Sequence, residues 1–185
     1  QPTRTGDKVE VAEVFSYGCP ACFQFNAPIK KLKSHLPARA ELIYVPASFR
    51  SDEYWPLFQR IFFTAQALGV TDKAHDDLFA AVWSGGPLAL RDENTRKPLT
   101  PTLEAAAQLF AKYGIKPEDF LATANSFAIN TQMKRADAYV KATGVDATPT
   151  LIVNGKYRIT GQAAGSWDAM IQVTEYLVAQ ELAGK

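Results

Sequence analysis

Two cysteines, Cys19 and Cys22, are the only ones in the chain, and they enclose Pro20 and Ala21 directly after an apolar run, Val9 to Phe15. At the start of a helix this spacing puts the two Cβ atoms about one turn apart, roughly 5–6 Å. A modest tightening brings them into disulfide range, roughly 3.5–4.5 Å. Such a pair can open and close at little conformational cost, so its chemistry is dithiol–disulfide exchange. With Cys19 as N-cap, Pro20 becomes the first helical residue, where its fixed φ suits the helix and its missing N–H is not needed. The uncapped N–H groups and about half a positive charge at the helix N-terminus then favour the Cys19 thiolate. Cys19 reads as the nucleophile, and Cys22, one turn inside, as the shielded resolving thiol.

The rest of the chain must position that pair. A length of 185 residues allows one well-filled core, or one domain with a sizeable insertion. The composition, 47% hydrophobic and 21% charged, is that of an ordinary globular protein and excludes a disordered chain. A net charge of +1 gives no reason to expect nucleic acid or an anionic membrane as partner. No apolar stretch is long enough to cross a bilayer. The chain starts at Gln1, as after removal of a signal peptide or trimming. Two cysteines do not make a disulfide scaffold, which needs several pairs, so one close pair points to redox work.

Residues 1–8 are polar and read as a frayed arm. Val9–Phe15 reads as a largely buried strand, Ser16-Tyr17-Gly18 as a short turn, and Pro20 to about Leu36 as a helix that Pro28 should kink. A second strand, Ala40 to about Val45, completes a βαβ unit whose strands should run parallel, because a crossover helix joins them. From about Phe49 to Gly144 the pattern is helical, with helices at about 53–68, 72–83, 101–113, 117–125 and 127–143. The punctuation is local: Gly69 and Gly114 fit helix stops, and Pro117-Glu118-Asp119 fits a first turn. Ser84 to Thr100 is a long loop rich in glycine, proline and charge, expected to carry either specificity or nothing. Strands then return at 148–153 and 157–160 around Asn154-Gly155, a strong hairpin signal, and a last helix runs from about Ser166 to Leu182.

Two further residues invite a role. Glu13 shares one face of the first strand with Val9, Val11 and Phe15, and burial of a carboxyl there favours its protonated form. That would suit a proton acceptor for Cys22; the alternative is an ordinary acid reaching water or a lysine. Pro149 opens a strand, where proline is tolerated only at an edge or an end, and residue chemistry alone leaves a trans strand-opener and a cis bond with a role both open. Tyr17, Phe23 and the Pro149 loop could form an apolar collar around Cys19 for an unfolded chain to rest on, although aromatic residues at such spacings are more often core. His35 reads as a contact at a helix end and His75 as a solvated residue on a polar face.

The order of these parts resembles the thioredoxin fold, and the helical block inserted between its halves resembles the DsbA family of bacterial periplasmic thiol:disulfide oxidoreductases. The likeness is carried by Glu13-Val14-Phe15-Ser16 before Cys19-Pro20-Ala21-Cys22, by Ala67-Leu68-Gly69-Val70-Thr71-Asp72-Lys73, and by Thr148-Pro149-Thr150 with Val153-Asn154-Gly155-Lys156-Tyr157. It implies an α/β class, a thioredoxin fold with an inserted helical domain, the thioredoxin-like part being 1–49 with 127–185 and the insert 50–126. It also implies a cis bond before Pro149, placing that loop beside Cys19 so that the backbone of Thr148 can pair with an extended client segment. A low-pKa, strongly oxidising site belongs to the family rather than following from these residues. Two departures stand out. Members usually have His where this chain has Ala21, and without that imidazole the thiolate should be less stabilised. One pKa unit is about 1.4 kcal/mol, or about 30 mV for a two-electron couple, so Pro20 and Ala21 tune the site without abolishing it. The N-terminus also looks too short for the additional edge strand common in the family.

The expected activity is donation of the Cys19–Cys22 disulfide to reduced secreted proteins in the periplasm, with re-oxidation by a DsbB-like quinone-linked membrane protein. No cofactor, metal or nucleic acid is implied. The same dithiol could run in reverse as a reductase or isomerase, but the familiar isomerases of this fold add a dimerisation domain, and a monomer is expected here. A zinc module is disfavoured because His35 and His75, forty residues apart, do not complete a ligand set with the cysteines. A binding or chaperone role for the helical insert would leave the cysteine pair a mere staple, and so short a loop stabilises little.

Overall fold

The computed structural model describes residues 8–184, so the polar arm expected over 1–8 lies outside the described residues apart from Lys8. Strand β1 is Val9–Phe15, helix α1 Pro20–His35 and strand β2 Ala40–Pro46. Helices α2 (Trp55–Ala67), α3 (Thr71–Trp83), α4 (Leu103–Phe110), α5 (Pro117–Ala124) and α6 (Phe127–Thr143) follow. The chain ends with β3 (Thr150–Val153), β4 (Tyr157–Thr160), a short α7 (Gly161–Ala164) and α8 (Trp167–Ala183). The strands form one sheet in the order β2-β1-β3-β4. This is the α/β architecture expected, with a helical stretch inserted between β2 and β3. The helix α7 was not foreseen: its four residues are too few for a periodic signal, and it forms because the Thr160 hydroxyl accepts from the Ala163 N–H at 3.2 Å.

By its contacts the chain divides into two compact units. One contains β1, α1 from Ala21, β2 and the chain from Ala138 onward; the other consists of Ser16–Pro20 and Pro46–Asp137. In the first, β1 pairs antiparallel with β3, Val11 opposite Val153 and Glu13 opposite Leu151. The hairpin to β4 turns at Asn154 and Gly155, both at positive φ, as Asn-Gly turns require. Because side chains alternate along a strand, Val9, Val11 and Glu13 share a face. Val9 and Val11 pack there with Phe25, Ile29 and Leu32 of α1, Leu151 and Val153 of β3, and Met170 and Val178 of α8. Helix α1 runs through Pro28 as one helix.

The opposite face of β1 carries Glu10, an acid that the sequence reading passed over. It is 7% exposed. Burial is the main cause that pushes its carboxyl above the usual range, and the nearby Glu41 adds to it. The Tyr139 hydroxyl is buried without a hydrogen-bond partner among the described residues, and burial first and Glu10 second push its pKa up. A raised folded-state pKa means that the folded chain binds the Glu10 proton more tightly, so stability declines as pH rises from about 4.5 through the raised value. Glu10→Gln is therefore expected to raise the urea midpoint at pH 7 and to change it little at pH 4. An equal shift at both pH values would mean that the ionised carboxylate is not the source of the penalty.

In the helical unit, α2 buries Trp55, Phe58, Ile61 and Phe62, and the rings of Phe110 and Phe120 meet at 4.6 Å between α4 and α5. The Arg60 guanidinium donates to the Ala124 carbonyl at 2.6 Å, satisfying an acceptor at the end of α5. Gln59, 1% exposed, donates from Nε2 to the Pro46 carbonyl at 3.0 Å and to Asp137 Oδ1 at 2.8 Å. The Ser48 hydroxyl donates to the same Asp137 oxygen at 2.6 Å. The first and last residues of the Pro46–Asp137 segment are thus tied through one glutamine.

Candidate active site

Cys19 sits immediately before α1 and Cys22 is the third residue of that helix. The turn that presents Cys19 is built from its own backbone: the Cys19 N–H donates to the Ser16 carbonyl at 3.1 Å, and the Gly18 N–H to the Ser16 hydroxyl at 3.1 Å. Proline at the first helical position and no acid in the first turn leave the helix N-terminus with its partial positive charge uncancelled. Cys19 is 4% exposed and Cys22 0%, so the inner thiol is shielded as expected and the outer one presents only a small edge. Pro20 beside it is exposed and Ala21 half-buried.

The turn is supported by residues of the helical unit. Tyr17, 1% exposed, packs edge-on against Phe79 with ring centroids 4.9 Å apart, and its hydroxyl lies 2.9 Å from His75 Nδ1. Trp83 Nε1 donates to the Tyr17 carbonyl at 2.8 Å. A Cβ on Gly18 would stand 2.9 Å from Trp55 Cδ1 and 3.0 Å from Phe58 Cε2, closer than real Cβ atoms comfortably come. Glycine is needed there for close approach rather than for φ.

These contacts correct two expectations. His75 is not solvated: it is 6% exposed and bonded to Tyr17. The signal was present, because His75, Phe79 and Val82 recur at the spacing of one buried helical face, but the flanking Asp76 and Asp77 suggested a wet one. Tyr17 is likewise no part of an exposed collar, since its ring is spent inside the support of the turn; Phe23 is exposed, at 38%, and in the third member Pro149 is buried while Ala147 before it is exposed. His35 lies in the last turn of α1, with Nδ1 4.0 Å from Glu175 Oε1.

Glu13 is 2% exposed and lies on the β1 face that packs against α1. Cys22 precedes Phe25 by three residues and Ile29 by seven, so it falls on the helix face turned to that sheet. The acid and the inner thiol thus belong to one sheet–helix layer. The Thr148–Pro149 bond is cis, Pro149 is buried, Thr148 is half-buried, and both stand just before β3. Among the described residues, no three His, Cys, Asp or Glu side chains gather as a metal site, and no helix is long and apolar enough to cross a membrane.

The sequence matches the Thioredoxin family model over residues 5–173. It is 34% identical to the thiol:disulfide interchange protein DsbA of Azotobacter vinelandii, over 97% of this chain and 78% of the relative. With DsbA of Pseudomonas aeruginosa it is again 34% identical, over 98% of this chain and 80% of the relative. The crystal structure of that P. aeruginosa protein superposes with a TM-score of 0.84 at 33% identity, covering 100% of this chain and 89% of the other. DsbA from Xylella fastidiosa gives 0.84 at 29% identity, covering 96% and 88%. With a buried cysteine pair at the head of the first helix of a thioredoxin fold, and likeness along nearly its whole length, the chain belongs to the DsbA family of thiol:disulfide oxidoreductases.

Proposed function

We propose that the protein works in the oxidising direction, passing its Cys19–Cys22 disulfide to reduced secreted polypeptides in the periplasm. The observation that carries this reading is Cys19 at the N-terminus of a 16-residue helix with no acid in its first turn. Such a site stabilises the thiolate and hence the reduced enzyme, so that oxidation of the client runs downhill. A client thiolate attacks Cys19 Sγ, the Cys19–Cys22 bond breaks, and Cys22 leaves as a thiolate. A second client thiolate then attacks the client sulfur of the mixed disulfide, forming the client disulfide and expelling Cys19. Two electrons pass from client to enzyme; Cys22 takes up a proton, Cys19 stays as the thiolate, and the client's thiol protons have gone to solvent on forming the two thiolates. Glu13 exchanges a proton with Cys22, giving it when Cys22 is expelled and taking it back when Cys22 resolves a mixed disulfide. Pro20 and Ala21 tune the pair, and the backbone at Thr148 and Pro149 receives the client in extended form. A DsbB-like quinone-linked membrane protein removes the two electrons again.

Equilibration against a glutathione series, with the pH dependence of Cys19 alkylation in the same samples, tests the direction. The expected result is a potential above the thioredoxin range with alkylation already fast below neutral pH. A thioredoxin-like potential with an ordinary thiol would show that Ala21 has turned the physiological direction round, and the reductase reading would replace this one.

A further inference from the structure

The 84–100 loop takes no part in the dithiol chemistry, yet it is built rather than loose. The Asp92 N–H donates to the Lys97 carbonyl at 2.9 Å and the Leu99 N–H to the Leu90 carbonyl at 3.0 Å, and Arg91 and Pro98 form an antiparallel bridge. Asp92 Oδ1 closes the tip by accepting from the Thr95 N–H at 2.6 Å and its hydroxyl at 2.8 Å. Leu88, wholly buried, anchors the base, and its N–H donates to the Ala81 carbonyl of α3 at 3.1 Å. The result is a small hairpin standing as one wall of an open cleft of about 710 Å³. That volume lies in the range of ligand sites, roughly 300–1,000 Å³. Gly18 and Pro20, the neighbours of Cys19, line it together with Tyr54, Trp83, Leu90 and Leu99.

The charges of the lining are unevenly satisfied. Asp52 and Glu53 both bind Arg50, with Arg50 Nη2 at 3.2 Å and 2.6 Å from their carboxylates. Arg91 and Arg96 also line the cleft, and neither meets a carboxylate among the described residues; Arg91 Nη1 reaches only the Arg96 carbonyl, at 3.4 Å. The remaining acid of the lining, Glu93, has its carboxylate over Gly85, where a Cβ would fall 2.3 Å from Oε1. Counting Arg50, three guanidinium groups stand against three carboxylates, so the lining is neutral overall; Arg50 is taken by Asp52 and Glu53, and the guanidinium groups of Arg91 and Arg96 are left on the hairpin wall with Glu93.

We infer that this cleft is a client-specificity subsite, taking an extended polypeptide segment next to the reacting cysteine, with an apolar side chain against Trp83 and Leu90 and an acidic one towards Arg91 and Arg96. The inference rests on Cys19 as the residue that joins the client. A client sulfur on Cys19 brings the flanking residues past Pro20 and Gly18, and these two residues form the edge of the cleft. The arginines supply charge complementarity to an acid, and the aromatic and leucine side chains supply apolar area at little entropic cost.

The test uses the oxidised full chain and reduced two-cysteine peptides that differ only in carrying Glu or Lys two to four residues to either side of the first cysteine. At low ionic strength the acidic peptide on one side should be oxidised with about fivefold higher kcat/KM, expressed in KM, the scale of exposed ion pairs. The preference should fade at high salt. Arg91→Glu with Arg96→Glu should abolish or reverse it, and Arg91→Gln with Arg96→Gln should abolish it. In both variants oxidation of dithiothreitol, which has no flanking chain, should proceed at the parental rate. No preference in the parent, or a preference unchanged in the variants, overturns the subsite. Peptide and dithiothreitol oxidation that both survive Cys19→Ser would instead overturn the reading on which the inference rests.

Discussion

Cys22→Ser is expected to arrest the enzyme at the mixed disulfide. Given glutathione disulfide, the Cys19 thiolate of this variant displaces one glutathione and keeps the other, because the thiol that would expel it is gone. Cys19→Ser should take up no glutathione on the same timescale, since its surviving thiol, Cys22, is wholly buried. Turnover of a reduced client should fall in both by at least about three orders of magnitude, the scale of losing the nucleophile in covalent catalysis. Intact mass under non-reducing conditions reads the difference directly. Equal adducts on both variants would mean that burial does not separate the roles of the two sulfurs, and Cys19 would lose its place as the attacking group.

Gly18→Ala carries the second large effect. The added methyl has no free volume, with Trp55 Cδ1 2.9 Å and Phe58 Cε2 3.0 Å away and both side chains buried at 5% and 1% exposure. Either α2 or the turn must move. Overpacking of this kind costs about 1–3 kcal/mol, and at this chain length each kcal/mol lowers the melting temperature by roughly 2–4 °C. The turn is the weaker partner, held by the Ser16 contacts to Gly18 and Cys19, so the rate of Cys19 alkylation should change as well. Phe58→Leu in the same chain should restore part of both losses. If the melting temperature falls and alkylation is untouched, the strain has been absorbed in α2 and the turn is stiffer than these contacts imply.

Much of this is legible in the sequence. The strand before Cys19, the helix that starts at Pro20 and the Asn154-Gly155 hairpin are local decisions, taken by periodicity and turn chemistry within a few residues. The placement of Glu13 on the core face followed from alternation alone. What escaped depended on partners distant in sequence. His75 bonds to a tyrosine 58 positions away, and Trp83 to the carbonyl of the same tyrosine across 66. Glu10 is given no role by the sequence reading although β1 reads as largely buried; both faces of the strand are buried, so an acid on either face is desolvated. The 84–100 loop was read from composition, and composition does not reveal that Asp92 folds its tip into a hairpin.

The tie between Pro46, Ser48, Gln59 and Asp137 bears on how such a chain can change over generations. The ends of the Pro46–Asp137 segment are held together by this clasp whatever the length of chain between them. Lengthening a closed excursion is cheap, about 0.6 kcal/mol for each doubling. The loops of the helical block can thus be enlarged or trimmed, provided that Trp55, Phe58, His75, Phe79 and Trp83, which hold the turn before Cys19, keep their places.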